Sequence, residues 1–503
     1  MERSKRIQAC LRENMMHILL LLVGAALYIA VCFHNSLWFD EAYTVGLMNH
    51  TFFDMIKWSA SDVHPHLYYI MLWLFTHIFG VKLTVMRIFS AIGAILFASL
   101  GLTHIKRDFG KKIGFWFSFC AVFSGSMLVY TNQIRMYTWA AYFVTLAAIY
   151  AYRVFKTPDF KKDRILFVIT SVCAAYTHYF ALFTVASINV VLLVALVKSE
   201  YAHPYKCWLT TGIAQIVCYI PGALVFLHQI MLDGASWISV VWPNLVFDLV
   251  SYHWLGETLN EAFEYKSRVY FVVGALFLLL FVAEGYFIRR FARSERTEKS
   301  ARQGVIGAAA SYFGVLLFAL TVSLFRAIYY IRYTVVLSGL LFFMIAFLMA
   351  SVNKNAIKSA LAVLFAVIFS FTAVSTYELV YDDSADMLES ALADSVTAED
   401  TFLFETIDGY VASVTYPESK TYFYNKGYWS VHEAYRAFGP NAYVIDSLDT
   451  GEIDGISGRV WVVNRDDCFR KLESLGYKEL ESHRIQMRYY GLNYELILMD
   501  IPE

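Results

Sequence analysis

Residues 15–47 read MMHILLLLVGAALYIAVCFHNSLWFDEAYTVGL. The apolar run 15–33 passes into Trp38 and Phe39, then into two adjacent carboxylates, Asp40 and Glu41, and Tyr43. A membrane crossing needs about 20 mostly apolar residues. The run is therefore read as a span, and the acids stand where the chain leaves the bilayer. The basic N-terminal stretch MERSKRIQAC precedes it and no small-residue cleavage site follows, so a retained first span is expected instead of a signal peptide.

The rest of the chain agrees. Of 503 residues, 58% are hydrophobic and 17% aromatic, above the roughly 45–50% apolar content of a soluble domain. A formal net charge of -1 carries no nucleic-acid signature. The glycine and proline content excludes collagen-like or low-complexity structure. Seven cysteines form no C-x-x-C pair. Cys32, Cys120, Cys173 and Cys218 lie in apolar runs, and Cys468 alone lies in the polar C-terminal part, so neither a disulfide framework nor a zinc ribbon is expected.

Further apolar runs occupy roughly 84–105, 113–130, 136–154, 165–177, 180–198, 208–228, 268–288, 304–325, 335–350 and 357–376. Residues 165–198 also read as one long tilted helix. The basic loops KRDFGKK (106–112), RVFKTPDFKKDR (153–164), RRFARSERTEKSAR (289–302) and NKNAIK (353–358) belong on the cytoplasmic side. Were the short run HLYYIMLWLFTHIFG (66–80) also to cross, KRDFGKK would fall outside, so 66–80 is read as a juxtamembrane helix. The expected fold is a polytopic α-helical membrane protein of the plasma membrane with about eleven transmembrane helices, N-terminus cytoplasmic. It divides into a transmembrane domain over 1–376, with a first outer loop at 34–83 and a long outer loop at 229–267, and a soluble extracytoplasmic α/β domain over 377–503. In the latter, TFLFE, KTYFYN, NAYVID, GRVWVVN and YELILMDI read as strands and CFRKLESLGY as helix, the alternation of a partly parallel sheet. No glycine-rich nucleotide loop occurs there.

This topology sorts the polar residues onto one face. The first outer loop holds Asp40, Glu41, Asp62, His64 and His66. The turn 131–135 holds Asn132, Gln133 and Arg135, the hairpin 177–179 holds His178 and Tyr179, and the turn 326–333 holds Arg326 and Arg332. Ionisable groups at membrane depth are costly and mark sites. Plainer readings exist for each. Asp40 can be a solvated loop acid or the N-cap of a helix beginning FDEAYTVGLM. Arg135 and Arg332 can snorkel to the interface, and Arg87 can be an anchor or ion-pair partner. His178 can be a satisfied interior histidine. Trp237, Trp242 and Trp254 can be interface aromatics. Asp62, His64 and His66 have D-x-H-x-H metal spacing, but the intervening Pro65 favours a turn.

Arginines beside a membrane suit a lipid phosphate, because guanidinium offers paired donors and keeps its charge. A nearby carboxylate suits a general base that deprotonates an attacking nucleophile. Together they describe group transfer from a phosphate-linked lipid carrier, with preorganised donors meeting the charge of the departing phosphate.

In order along the chain, WFDEAYT, DVHPHLYYIMLWLFTHIFG, YTNQIRMYTWAAY, THYFALF and IRYTVVL resemble the motifs of GT-C superfamily membrane glycosyltransferases. The resemblance is to the family-39-like group, bacterial relatives of protein O-mannosyltransferases and of the lipid A aminoarabinose transferase, and it covers roughly residues 10–350. It implies a polyprenyl-phosphate sugar donor, transfer on the outer face and inversion at the anomeric carbon. The acceptor it implies is a lipid, a polysaccharide or a protein. It places the catalytic carboxylate on Asp40, with Glu41 beside it. It places substrate and lipid-phosphate binding on His64, Tyr68, Arg135, Tyr137, His178, Tyr179, Arg332 and Tyr333. Two positions depart from the pattern. His66 replaces a second proline, and Gln133-Ile134 replaces an acid ahead of Arg135, which leaves a divalent metal allowed but not favoured and no cofactor indicated. Glu41 or Glu257 could substitute for that acid. A transporter or lipid flippase is the alternative, but no internal repeat relates the halves and the polar groups gather at outer span ends. A sensor that binds through its C-terminal domain is a third reading.

Overall fold

The computed structural model describes residues 2–232, 238, 252–254, 285–286, 290, 298–381, 392, 395–405, 410–426, 432–449, 451, 453, 455–487 and 492–501. The chain divides into two compact units. A bundle unit comprises Met1–Cys32, Arg87–Ala223 and Trp237–Thr376; a loop–sheet unit comprises Phe33–Met86, Leu224–Ser236 and Tyr377–Glu503. The stretch Phe33–Met86 thus folds with the C-terminal part of the chain.

The bundle unit draws on α1 (Glu2–Ala30), α5 (Leu83–Ser99), α6 (Lys106–Phe109), α7 (Lys111–Val122), α8 (Gly125–Asn132), α9 (Tyr137–Lys156), α10 (Lys161–Thr177), α11 (Tyr179–Val197), α12 (Pro204–Met231), α13 (Lys299–Ser323), α14 (Ser338–Ser351) and α15 (Asn355–Val380). Among the described residues seven helices are long and apolar enough to cross a membrane, or eight if the pair α7 and α8, bent by 56°, is one broken span. The chain is a multi-pass membrane protein. Helices also occupy 137–156 and 161–177, where spans were expected. The first carries Tyr137, Tyr142, Tyr150 and Tyr152, and the second has 17 residues, so neither meets that standard of length and apolarity. The expected span 268–288 lies outside the described residues. Residues 165–198 are two helices, broken at His178, whose backbone is extended (φ -156, ψ 137).

Local chemistry explains several features of the bundle. Gly101 and Gly114 let α7 cross the π turn Gly101–Ile105 at backbone contact, since a Cβ on either would enter the other's carbonyl oxygen. Pro221 inside α12 removes a helix donor. The Tyr176 hydroxyl inserts there, donating to Cys218 O (3.0 Å) and accepting from Gly222 N (3.0 Å), which keeps the opened backbone satisfied in lipid.

The loop–sheet unit holds α2 (Phe39–Met48), α3 (Phe52–Ser59) and α4 (Leu67–Phe79) from the first loop. Helix α4 has 13 residues. At 1.5 Å per residue it rises about 20 Å, short of a roughly 30 Å hydrocarbon core. The C-terminal sheet contains β1 (Thr401–Phe404), β2 (Lys420–Tyr424), β3 (Ala442–Ile445), β4 (Val460–Val463), β5 (Lys478–Met487) and β6 (Leu492–Asp500), in the order β3-β2-β1-β4-β6-β5. Strands β1 to β4 run parallel, and the antiparallel hairpin β5–β6 extends the sheet from β4. One face packs Leu403, Val460, Val462, Ile497 and Met499 under α17 (Asp467–Ser474), which contributes Phe469 and Leu472. Strand β5 was absent from the sequence reading. It is an edge strand with exposed charges along most of its length, so it shows no apolar alternation.

The C-terminal residues grip α2 directly. Phe39 meets Tyr410, at the start of α16 (Tyr410–Thr415), with ring centroids 5.4 Å apart. It also meets Phe438, which ends the 3-10 turn His432–Phe438, at 5.4 Å. Tyr43 meets Phe438 edge-on at 5.7 Å. Gly46 lies against the backbone of Ala437 and Phe438 so closely that any Cβ would overlap it. The His50 Nε2–H donates to Arg436 O (2.9 Å).

Candidate active site

In the bundle unit, three breaks between helices deliver side chains to one cluster. Between α8 and α9, Arg135 N–H donates to Gln133 O (2.8 Å) and tightens the turn. The turn is fixed from α5: fully buried Arg87 donates through Nε to Asn132 O (2.8 Å), and Ser90 Oγ donates to Arg135 O (3.5 Å). Arg87 is therefore a brace for the Arg135 turn. Between α10 and α11, His178 caps α11, its Nδ1 accepting from Phe180 N–H (3.0 Å). Nδ1 carries the lone pair, so Nε2 carries the proton and is a donor. The third break is the 3-10 turn Ile331–Leu337, which buries Arg332 and Tyr333.

Aromatic contacts join these breaks. The His178 ring stands 5.5 Å from Tyr137 and 4.9 Å, edge-on, from Tyr333; Tyr137 also packs on Tyr130 at 4.4 Å. The Arg332 guanidinium lies over the Tyr330 ring (4.9 Å), and Tyr330 meets Tyr333 at 5.8 Å. Tyr137, His178, Tyr333 and Arg332 therefore share one wall of buried rings and a cation. Arg135 is buried two residues before Tyr137, and Tyr179 is the partly buried first residue of α11.

In the loop–sheet unit, Asp40 and Glu41 occupy the first turn of α2, where the helix dipole favours carboxylates. The N-cap is Trp38, not Asp40: Trp38 takes the extended cap conformation and makes no side-chain capping bond. Glu41 is 0% exposed, whereas Asp40 is partly exposed. Nearby, one oxygen of Asp62 accepts from the Tyr69 hydroxyl (2.6 Å) and from His64 Nδ1–H (3.2 Å). That bond makes Nε2 of a neutral His64 an acceptor, the converse of His178. His66 does not join them. Its Nδ1 bonds Ser59 Oγ (2.9 Å), because the turn at Pro65 sends the two imidazoles different ways. Burial holds His66 below the ordinary imidazole range, partly offset by Asp62. Tyr68 is fully buried beside Tyr69. Gln229 Nε2 reaches Ser59 O (3.4 Å) and His64 O (3.2 Å) and pins this loop.

Over 96% of its length, and 98% of the other chain, the structure matches the crystal structure of ArnT from Cupriavidus metallidurans bound to undecaprenyl phosphate, with a TM-score of 0.60. The chain has an ArnT-like fold. The apo form of the same ArnT matches 97% of this chain with a TM-score of 0.53, and the two ArnT matches share 12% sequence identity with it. At that identity the likeness concerns the fold, a helical membrane bundle followed by an α/β domain. The Archaeoglobus fulgidus oligosaccharyltransferase, crystallised with zinc and sulfate, aligns with 80% of this chain and 62% of its own at a TM-score of 0.45 and 13% identity. No family model and no curated protein matches the chain by sequence.

Within this ArnT-like frame, Asp40, Glu41, His64 and Tyr68 belong to the loop–sheet unit, and the other six candidates to the bundle unit. Glu257, Trp237 and Trp242 lie outside the described residues; Trp254 is buried against Phe342 (5.4 Å) and Phe365 (4.6 Å), an interior residue and not an interface one. Three contributors escaped the sequence reading. Tyr252 bonds Tyr130 hydroxyl to hydroxyl. Buried His253 accepts Ser124 Oγ at its carbonyl (2.6 Å) and bonds Ser338 Oγ through Nδ1 (3.1 Å). The third is Gln229. The available signal was the set of polar residues in and beside the segment 229–267.

Proposed function

We propose that the protein is an integral membrane glycosyltransferase that moves a sugar from a polyprenyl-phosphate carrier to an acceptor on the outer face of the membrane, with inversion. The observation that carries this reading is the end-to-end fold likeness to an ArnT bound to undecaprenyl phosphate. The buried wall of Tyr137, His178, Tyr333 and Arg332 and the partly exposed Asp40 of α2 are consistent with it.

In this reading Asp40 takes the proton from the acceptor as its oxygen or nitrogen attacks the anomeric carbon. The bond from that carbon to the phosphate oxygen breaks, and the electron pair leaves with the phosphate. Arg135 and Arg332 hold the departing phosphate, where fixed donors are worth most because no solvent must reorganise. His178 donates from Nε2–H, while His64 accepts a sugar or acceptor hydroxyl at Nε2. Tyr137 and Tyr333 offer ring faces to the sugar, and Tyr68 and Tyr179 line the binding region. Glu41, fully buried, braces α2 behind Asp40. The basic loops keep the N-terminus cytoplasmic and the C-terminal domain outside.

The test supplies membranes with labelled polyprenyl-phosphate sugar and follows release of polyprenyl phosphate. Loss of a general base costs about 10²–10⁴ in rate, so Asp40→Asn should drop turnover by that much while carrier binding persists. Unchanged turnover in this variant overturns the role of Asp40, and no release by the native protein overturns the activity.

A further inference from the structure

The C-terminal sheet contains a topological switch point that takes no part in the reaction proposed above. Strand β1 leads in the chain to β2 on one side, while β4 pairs with its other side. In open α/β sheets, ligands bind beyond the carboxyl ends of parallel strands where the connections diverge in this way. Glu405 directly follows β1. After β4 the chain turns through Asn464, at φ 57, into Asp466 and the first turn of α17, which holds Cys468.

A helix N-terminus at such a place ordinarily receives an anion. Here the protein fills it with its own carboxylates. Asp466 Oδ1 accepts from Cys468 N–H (2.9 Å) and Phe469 N–H (3.2 Å), and Glu405 Oε2 accepts from Asp467 N–H (2.8 Å). An external anion is thereby excluded, and the remaining donor atoms suit a cation. Carboxylate oxygens of Glu405 and Asp466 and the Sγ of Cys468 all lie within 4.8 Å of one another. Cys468 is 0% exposed, and its thiol meets no hydrogen-bonding partner among the described residues. The second oxygen of Asp466 is also buried and unpartnered. Packing in the sheet core explains why Cys468 is buried. It does not explain two carboxylates gathered round the sulfur.

We propose that Glu405, Asp466 and Cys468 form a binding site for a divalent cation of the zinc class. A thiolate selects a borderline-soft ion over Mg²⁺ or Ca²⁺, and two carboxylates complete three ligands with a position left for water. The backbone N–H bonds to Glu405 and Asp466 orient the carboxylates from outside, as supporting bonds do in metal sites. Exposed Lys426 is the competitor: its Nζ donates to Glu405 Oε1 (2.6 Å) and pairs with Asp467. Metal binding releases the Cys468 thiol proton to solvent and frees Lys426 from Glu405. The ion ties the end of β1 to the start of α17.

The experiment uses the full chain in detergent, stripped with a chelator and titrated with Co²⁺ and then Zn²⁺. A thiolate-to-cobalt charge-transfer band should appear, be displaced by Zn²⁺, vanish in Cys468→Ser and persist in Cys218→Ser, which alters an exposed cysteine of α12. Glu405→Gln and Asp466→Asn should weaken Zn²⁺ binding on the order of tenfold or more. Lys426→Ala should tighten it, a change that a purely structural ion pair would not produce. Zn²⁺ should raise the melting temperature of the native chain and not of Cys468→Ser. Absence of the band, a band unchanged in Cys468→Ser, or equal stabilisation by Ca²⁺ overturns the site.

Discussion

The two units place their candidate groups by opposite means. In the bundle unit each candidate side chain is set by the helix break that carries it: His178 caps the helix it precedes, and Arg332 and Tyr333 ride a 3-10 turn that runs into α14. In the loop–sheet unit, Asp40 and Glu41 sit on a ten-residue helix that owes its place to residues almost four hundred positions later, Tyr410, Arg436 and Phe438. Local devices can be damaged one at a time. A helix clamped by a distant domain is displaced whenever the clamp loosens.

The largest expected loss of stability belongs to a control in the bundle unit. Arg153 Nε donates to Asp108 Oδ2 (2.6 Å) with both side chains largely buried. Breaking a buried pair costs about 3–5 kcal/mol. Arg153→Met should fall at the lower end, since Arg107 still reaches Asp108. Thermal unfolding should show the loss, with turnover per folded molecule unchanged. A fall in that turnover would blur the distinction between the units.

Gly46→Ala attacks the clamp. Overpacking costs about 1–3 kcal/mol, and here the obstacle is backbone, which yields least. Melting temperature and turnover per folded molecule should both drop, because α2 must move to admit the methyl group. Full turnover in a folded Gly46→Ala would show that the clamp does not set the position of Asp40.

His178 offers a finer cut. Losing a helix cap costs about 0.5–2 kcal/mol, so His178→Ala should lose that stability together with activity. Asn also caps well, so His178→Asn should recover the stability without the activity. Recovery of both would reduce His178 to a cap.

The smallest effect is in pH. Burial lowers the pKa of His50, against the partial opposition of its bond to Arg436 O and of Asp54, and it lowers that of His66. Both are neutral in the folded unit. Below the ordinary value of about 6.5 the unfolded chain takes up protons that the folded unit resists. Stability present above pH 6.5 is therefore lost as the pH falls through the lowered folded values. Melting temperature should be flat from pH 8 to 7 and decline below 6.5, and the decline should shrink in His50→Gln. An equal decline in that variant would assign the acid sensitivity elsewhere.

The contrast also decides what could be read in advance. Apolar runs and the placing of Arg135, His178 and Arg332 at breaks between helices were legible, since each is a pattern within a few residues. So were five strands, whose apolar residues cluster. The edge strand β5 was not, because its inward face carries Glu481 and His483 ahead of Ile485, so its burial alternates without an apolar period. The braces Arg87 and Gln229, and the insertion of Tyr252 and His253 among the helix ends, were also hidden. Each is a single polar residue whose partner lies 45 to 170 positions away. The clamp on α2 was the least legible of all. Its one trace is Gly46 inside a helix, where glycine costs about 1 kcal/mol relative to alanine and so implies a close neighbour, without saying which.

That clamp has a consequence for how the protein is made. Translation proceeds at about 5–20 residues per second, so roughly 20–80 s separate the synthesis of α2 from that of the residues that seat it. Through that interval the helix bearing Asp40 stands without its partner, however well the spans have inserted. A chain cut short before Phe438 never acquires the clamp. Residues 410–438 therefore seat α2 only after the described membrane-length helices have been made.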